Sequence, residues 1–175
     1  TDLLNVLMLQ SGVQMTAPDF SRATFASGGN SPLAFYIKFG NPANESYTWD
    51  DSLPNSLDSF AQNRVAMIFN YAHAIPTLRE EKNPFLDIGI APLPQTSTAG
   101  TAVNYANYWG VAVSNQSLNP LASWGLISYL TLNTETAEFY ALRAGRLPAL
   151  RTLIAERVND QFWGVFANQA LSARS

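Results

Sequence analysis

The chain of 175 residues contains no cysteine and a single histidine, His73. Lack of cysteine removes thiol catalysis, disulfides and thiolate metal sites together. One imidazole cannot build a histidine-based metal site, and a serine–histidine–acid triad is hard to assemble around it. Charge is scarce as well: charged residues are 13% of the chain, against about 25% in ordinary soluble proteins. The 10 basic and 13 acidic residues give a net charge of −3. No basic run occurs, so nucleic acid is not an expected partner. No apolar stretch approaches the roughly 18 residues of a membrane span. Composition leans away from an enzyme, and no cofactor or metal is expected.

What the chain does have is apolar and aromatic. At 47% hydrophobic and 12% aromatic residues, it can bury one ordinary domain core or two small lobes. Organisation is clearest from Phe60 to Pro94, FAQNRVAMIFNYAHAIPTLREEKNPFLDIGIAPLP. A helix Leu53–Gln62 closes at Asn63, a residue that tolerates the left-handed conformation of a helix stop. Val65–Phe69 is apolar without alternation, as in a strand covered on both faces. Asn70 to Glu81 reads as a loop opening into a helix, where Pro76 fits only the first turn. Asp87–Ala91 forms a second predicted strand before Pro92 and Pro94. In such a strand–helix–strand unit the loop after the first strand lies at a carboxyl end, where open α/β sheets bind ligands.

The remaining elements follow from the same signals. Thr1–Gly12 is a predicted helix stopped by Gly12, and Pro32–Phe39 a short aromatic one. Asp50, Asp51 or Ser52 is expected to cap the helix from Leu53. Gln95–Val103 reads as a loop, and Tyr105–Ser114 as a strand with Trp109, Val111 and Val113 on one side. Asn119-Pro120 starts a helix to Leu130 with Leu121, Trp124 and Ile127 inward. Asn133 caps a helix ended by Gly145. Ala149–Arg157 and Asn159–Ala173 are closing helices, the second packing through Phe162, Trp163, Phe166 and Ala170.

The order of these motifs resembles the family 1 extracellular solute-binding proteins of bacterial ABC importers, the group of maltose-binding-like sugar receptors. The resemblance rests on Phe60 to Met67 leading into an apolar strand, the segment ending Ala91-Pro92-Leu93-Pro94, Trp109-Gly110-Val111-Ala112-Val113-Ser114, the helix Ala122–Leu130, and Gly145-Arg146-Leu147-Pro148-Ala149. Asn63 departs from the family's usual glycine. The resemblance implies an α/β fold of the two-lobed periplasmic-binding-protein type II class, here a helix-rich partial chain. Residues 1–98 would belong to the second lobe, 105–148 to the first, and 149–175 would return to the second. It further implies a non-enzymatic receptor that closes its lobes on a sugar or oligosaccharide and presents it to a membrane permease. The protein would be periplasmic, or extracellular and held to the membrane as a lipoprotein. Thr1 opens inside a predicted helix, so the signal segment and the first part of the family chain are expected to be missing.

Candidate ligand-binding residues combine flat rings with planar hydrogen-bonding groups, because sugar faces stack on aromatics while their hydroxyls need polar partners. The resemblance puts an aromatic against the ligand on the loop holding Tyr71 and His73, and passes a lobe-crossing strand along Asn107, Tyr108 and Trp109. Trp49, beside Asp50 and Asp51, offers a ring and two acceptors. Arg146 can bind a hydroxyl or carboxylate. Against these stand plainer roles: His73 as a helix-start surface residue, Tyr108 and Trp109 as core, Asp50 or Asp51 as a cap, Arg146 as a solvated side chain. Two rival functions follow, an interaction module in which the aromatics are core, and a hydrolase that would need two carboxylates in one pocket.

Overall fold

The computed structural model describes residues 2–96 and 102–174. Residues 97–101 of the predicted loop Gln95–Val103, together with Thr1 and Ser175, lie outside the described residues. In chain order the elements are α1 (Asp2–Gln10), α2 (Asn30–Lys38), α3 (Ser56–Ala61), α4 (Ala74–Pro76) with a π-helical continuation (Thr77–Lys82), β1 (Asn104–Tyr105), α5 (Pro120–Leu132), α6 (Thr134–Arg143), α7 (Arg151–Glu156), α8 (Gly164–Ser172) and β2 (Ala173–Arg174). They group into two compact units. One comprises Thr1–Asn55, Leu93–Ala106 and Ser172–Ser175, the other Ser56–Pro92 and Asn107–Leu171.

The first unit is built on α1, which packs against α2 and β1. Asp2 in its first turn suits the positive end of the helix dipole. Val6 and Met8 supply the buried side, joined by Val13 and Ala17. The helix ends at Gly12, whose φ of +74° is the left-handed conformation expected of it. The Val13 N–H reaches back to the Met8 carbonyl at 3.0 Å and the Gly12 N–H to Leu9 at 3.0 Å. These are the paired bonds that satisfy carbonyls left open by a helix end. β1 and β2 pair in parallel, Asn104 with Ala173 and Tyr105 with Arg174. The buried Asn104 side chain also donates to the Ser172 hydroxyl at 3.1 Å.

The second unit repeats the same helix stop twice. At the end of α3, Asn63 adopts φ +58° and the Arg64 N–H donates to the Ser59 carbonyl at 2.8 Å. At the end of α6, Gly145 adopts φ +59° and the Arg146 N–H donates to Ala141 at 2.9 Å. Asn133 acts as predicted: its side-chain oxygen accepts from the Thr136 N–H at 2.9 Å and opens α6. The core is made of small and aliphatic side chains, Ala61, Ala74, Ile75, Leu78, Ala137, Ala141, Leu153, Ile154 and Ala167. The π-helical continuation carries Leu78 into it. Around it, Lys82 pairs with Asp58, Asn83 donates to the Ala61 carbonyl at 2.9 Å, and the Arg79 guanidinium lies 4.4 Å from the Phe162 ring centroid.

Several expectations need correction. Val65–Phe69 and Asp87–Ala91 form no strand, and of Tyr105–Ser114 only Tyr105 joins a ladder. A strand exists through hydrogen bonds to a neighbour, and the described residues set no neighbouring strand beside these runs. Their apolar content leaves them uncovered: Met67 is 87% exposed and Phe69 57%. The chain is therefore helix-rich with little sheet among the described residues. Leu121 and Trp124 do not point inward, and Leu121 is 86% exposed. Helix α5 is apolar on all sides and has no charged residue, so periodicity cannot choose a buried face for it. Asp50 does not cap the following helix. Its carboxylate accepts from the Ser52 N–H at 2.8 Å and the Tyr47 hydroxyl at 2.6 Å, closing its own turn before α3 begins at Ser56. The last helix starts at Gly164, not Asn159, because Asp160 turns the chain first by accepting from the N–H groups of Phe162 and Trp163.

Three substitutions check this account by urea denaturation. Asn133→Ala removes a cap and lowers stability by about 1 kcal/mol. Gly12→Ala and Gly145→Ala both force a side chain into the left-handed region, at about 1 kcal/mol each. Around Gly12 there is open space, whereas a Cβ on Gly145 would stand 2.5 Å from Pro76 Cγ. Gly145→Ala therefore costs roughly 1–3 kcal/mol more than Gly12→Ala; equal losses would contradict the close approach of Gly145 to Pro76.

Candidate functional site

The candidate site grows from the turn that precedes α4. The Ala74 N–H donates to the Tyr71 carbonyl and the Ile75 N–H to the Ala72 carbonyl, both at 3.0 Å, so residues 71–75 wind tightly. Ala74 and Ile75 are buried and anchor the turn. Tyr71 and His73, two residues apart, stay on its outer side. Their rings stack with centroids 5.7 Å apart and planes 16° from parallel. Tyr71 is half-buried and His73 exposed.

The end of α6 meets this turn. Gly145 passes so close to it that a Cβ there would lie 3.6 Å from His73 Cα, besides striking Pro76. The helix stop at Gly145 directs the next residue, Arg146, toward the same region, and its guanidinium carbon lies 5.9 Å from the Trp109 ring centroid. That is the outer reach of a cation–π contact. Trp109 is 80% exposed and belongs to the unpaired run 107–113. Asn107 and Tyr108 are its exposed neighbours. Three separate stretches thus bring Tyr71, His73, Trp109 and Arg146 together within one unit.

The electrostatics agree with the geometry. His73 is held below its ordinary value of 6.5, first because its ring loses part of its hydration against the turn, and second because the Arg146 charge opposes a second cation. At neutral pH the imidazole is therefore uncharged, with one nitrogen to donate and one to accept. Among the described residues, the ion pairs join Lys82 to Asp58 and Arg157 to Glu138. Arg146 is in neither.

Trp49 belongs to the other unit. It is half-buried, and its N–H donates to the Phe39 carbonyl at 3.2 Å. Hydrogen bonds from Ser52 and then Tyr47 keep the Asp50 carboxyl below its usual range, while the same contact raises Tyr47. Asp50 is thus an ionised acceptor engaged in its own turn, a poor candidate for a general acid. Among the described residues no cluster of histidine, aspartate and glutamate could hold a metal ion. No helix there is long and apolar enough to cross a membrane. Sequence reasoning missed the contact of Gly145 with Pro76. Both residues read as local punctuation, and nothing local in a sequence reports a packing partner so far along the chain.

As the only histidine, His73 gives a single imidazole signal to follow by NMR. Its midpoint falls below 6.5, and Arg146→Gln raises it part of the way, since desolvation is the larger cause. The native pKa is depressed, so on acidification the unfolded chain takes up this proton first. Stability from this group is lost as pH falls below about 6.5, down through the native midpoint. An unchanged midpoint in Arg146→Gln would contradict the proximity of the two side chains.

Comparison with known proteins adds the family. No curated protein and no solved structure matches the chain. A family model described as bacterial extracellular solute-binding protein matches residues 2–163. The match spans the Tyr71–His73 turn, Trp109 and Arg146 alike, and the chain belongs to the bacterial extracellular solute-binding proteins.

Proposed function

We propose that this solute-binding protein captures a sugar or oligosaccharide through Tyr71, His73, Asn107, Tyr108, Trp109 and Arg146, and hands it to the permease of an ABC importer. The observation that carries the reading is the convergence of an exposed ring, a stacked ring pair and a guanidinium from three stretches of chain. Rings offer flat apolar faces for the C–H side of a sugar, and a neutral imidazole, amide groups and a guanidinium offer partners for its hydroxyls. Trp49 is a further candidate. In the same proposal residues 1–98 and 149–175 belong to one lobe of a type II binding fold and 105–148 to the other. Closure of the lobes on the solute would follow from tighter binding to the closed form. The family places such proteins outside the cytoplasm; anchoring as a lipoprotein belongs to the proposal.

One observation favours a second reading, an interaction module. Helix α5 exposes Leu121 together with Trp124 and Tyr129 and carries no charge, and an uncovered apolar surface of this kind suits protein contact. The readings differ in what a small molecule does. On the receptor reading, neutral hexoses and their oligomers quench or shift tryptophan fluorescence saturably and raise the thermal midpoint by mass action. Trp109→Ala and Tyr71→Ala each weaken binding by up to about tenfold, or 1.4 kcal/mol. Trp109→Ala leaves the unliganded midpoint nearly unchanged, because the ring is 80% exposed. Absence of binding across all sugars would favour the interaction module.

A further inference from the structure

From the surroundings of Arg146 we infer that the sugar taken by this site carries an anionic group, a ring carboxylate or a phosphate, that pairs with the Arg146 guanidinium while the sugar ring stacks on Trp109. The inference rests on the sugar-receptor reading and narrows its substrate class.

Three observations carry it. Arg146 is half-buried, and its backbone is tied by the 2.9 Å bond to Ala141, so its side chain leaves a fixed point at the end of α6. No carboxylate among the described residues forms an ion pair with it. A guanidinium partly withdrawn from water gains from an anionic partner, and its planar fork matches a carboxylate or phosphate with two parallel hydrogen bonds. The Arg146 charge also reaches His73, where it opposes a second cation after the larger effect of lost hydration. A neutral sugar would leave the guanidinium charge without a counterion; an acidic one neutralises it. The exposed Trp109 ring lies 5.9 Å from the guanidinium carbon. A sugar ring on the indole face can thus set an exocyclic acid group beside the cation.

Titration calorimetry of the chain with glucose, glucuronate and glucose 6-phosphate tests the idea. At least one of the two acidic sugars binds about tenfold or more tightly than glucose, and which one identifies the anion. Arg146→Gln removes the preference, weakening the acidic sugar about tenfold more than it weakens glucose. Trp109→Ala weakens acidic and neutral sugars alike. Salt provides a check without mutation: raising ionic strength weakens the acidic sugar and not glucose, because a partly exposed ion pair is screened. Equal affinity for all three sugars, or an acidic preference that survives in Arg146→Gln, would overturn the inference while leaving the sugar reading intact. Failure of every sugar, acidic or neutral, would instead remove the receptor reading on which it stands.

Discussion

The contact that the candidate site depends on is the approach of Gly145 to the turn that opens α4. A residue bearing a Cβ would meet Pro76 at 2.5 Å, so only glycine allows the end of α6 to come this near. The same glycine has the left-handed backbone that ends the helix, and the bond from Arg146 to Ala141 completes that ending. One residue therefore does two things: it stops a helix, and it lets the next side chain emerge beside His73 and Trp109. The depressed ionisation of His73 is the electrostatic trace of that approach.

Around this contact the second unit keeps a narrow core. Its buried apolar side chains are alanines, leucines and isoleucines, while its rings are half-buried or exposed. Composition alone would put so many aromatics inside. The structure instead spends them in pairs on the surface: Tyr71 with His73, Phe162 with Trp163, and Trp109 with Arg146. Rings held against a polar or cationic neighbour at the surface are suited to a solute with one apolar and one polar side.

The strand expectations show where reading from sequence reaches its limit. Val65–Phe69 has the composition of a strand buried on both faces, yet no ladder includes it among the described residues. Composition describes what a segment would tolerate, whereas a ladder needs a second strand in register. The run through Trp109 has the same history, with Tyr105 alone finding a partner, in β2. Helix α5 is the reverse case. Its existence and its proline start were plain from Asn119-Pro120, but a helix apolar on every side carries no information about which side is covered.

Local chemistry decided by the sequence itself includes the helix stops at Gly12, Asn63 and Gly145, the Asn133 cap, and the absence of thiols and of a second imidazole. Each of these depends on a residue and its near neighbours along the chain, so it can be read without coordinates. The order of motifs was enough to suggest the family. The meeting of Tyr71, His73, Trp109 and Arg146 was decided only in three dimensions, as were the unpaired strand runs and the uncovered α5. Those features depend on which distant segments come together, and at the candidate site backbone clearance at Gly145 is what permits the approach to Pro76 and His73.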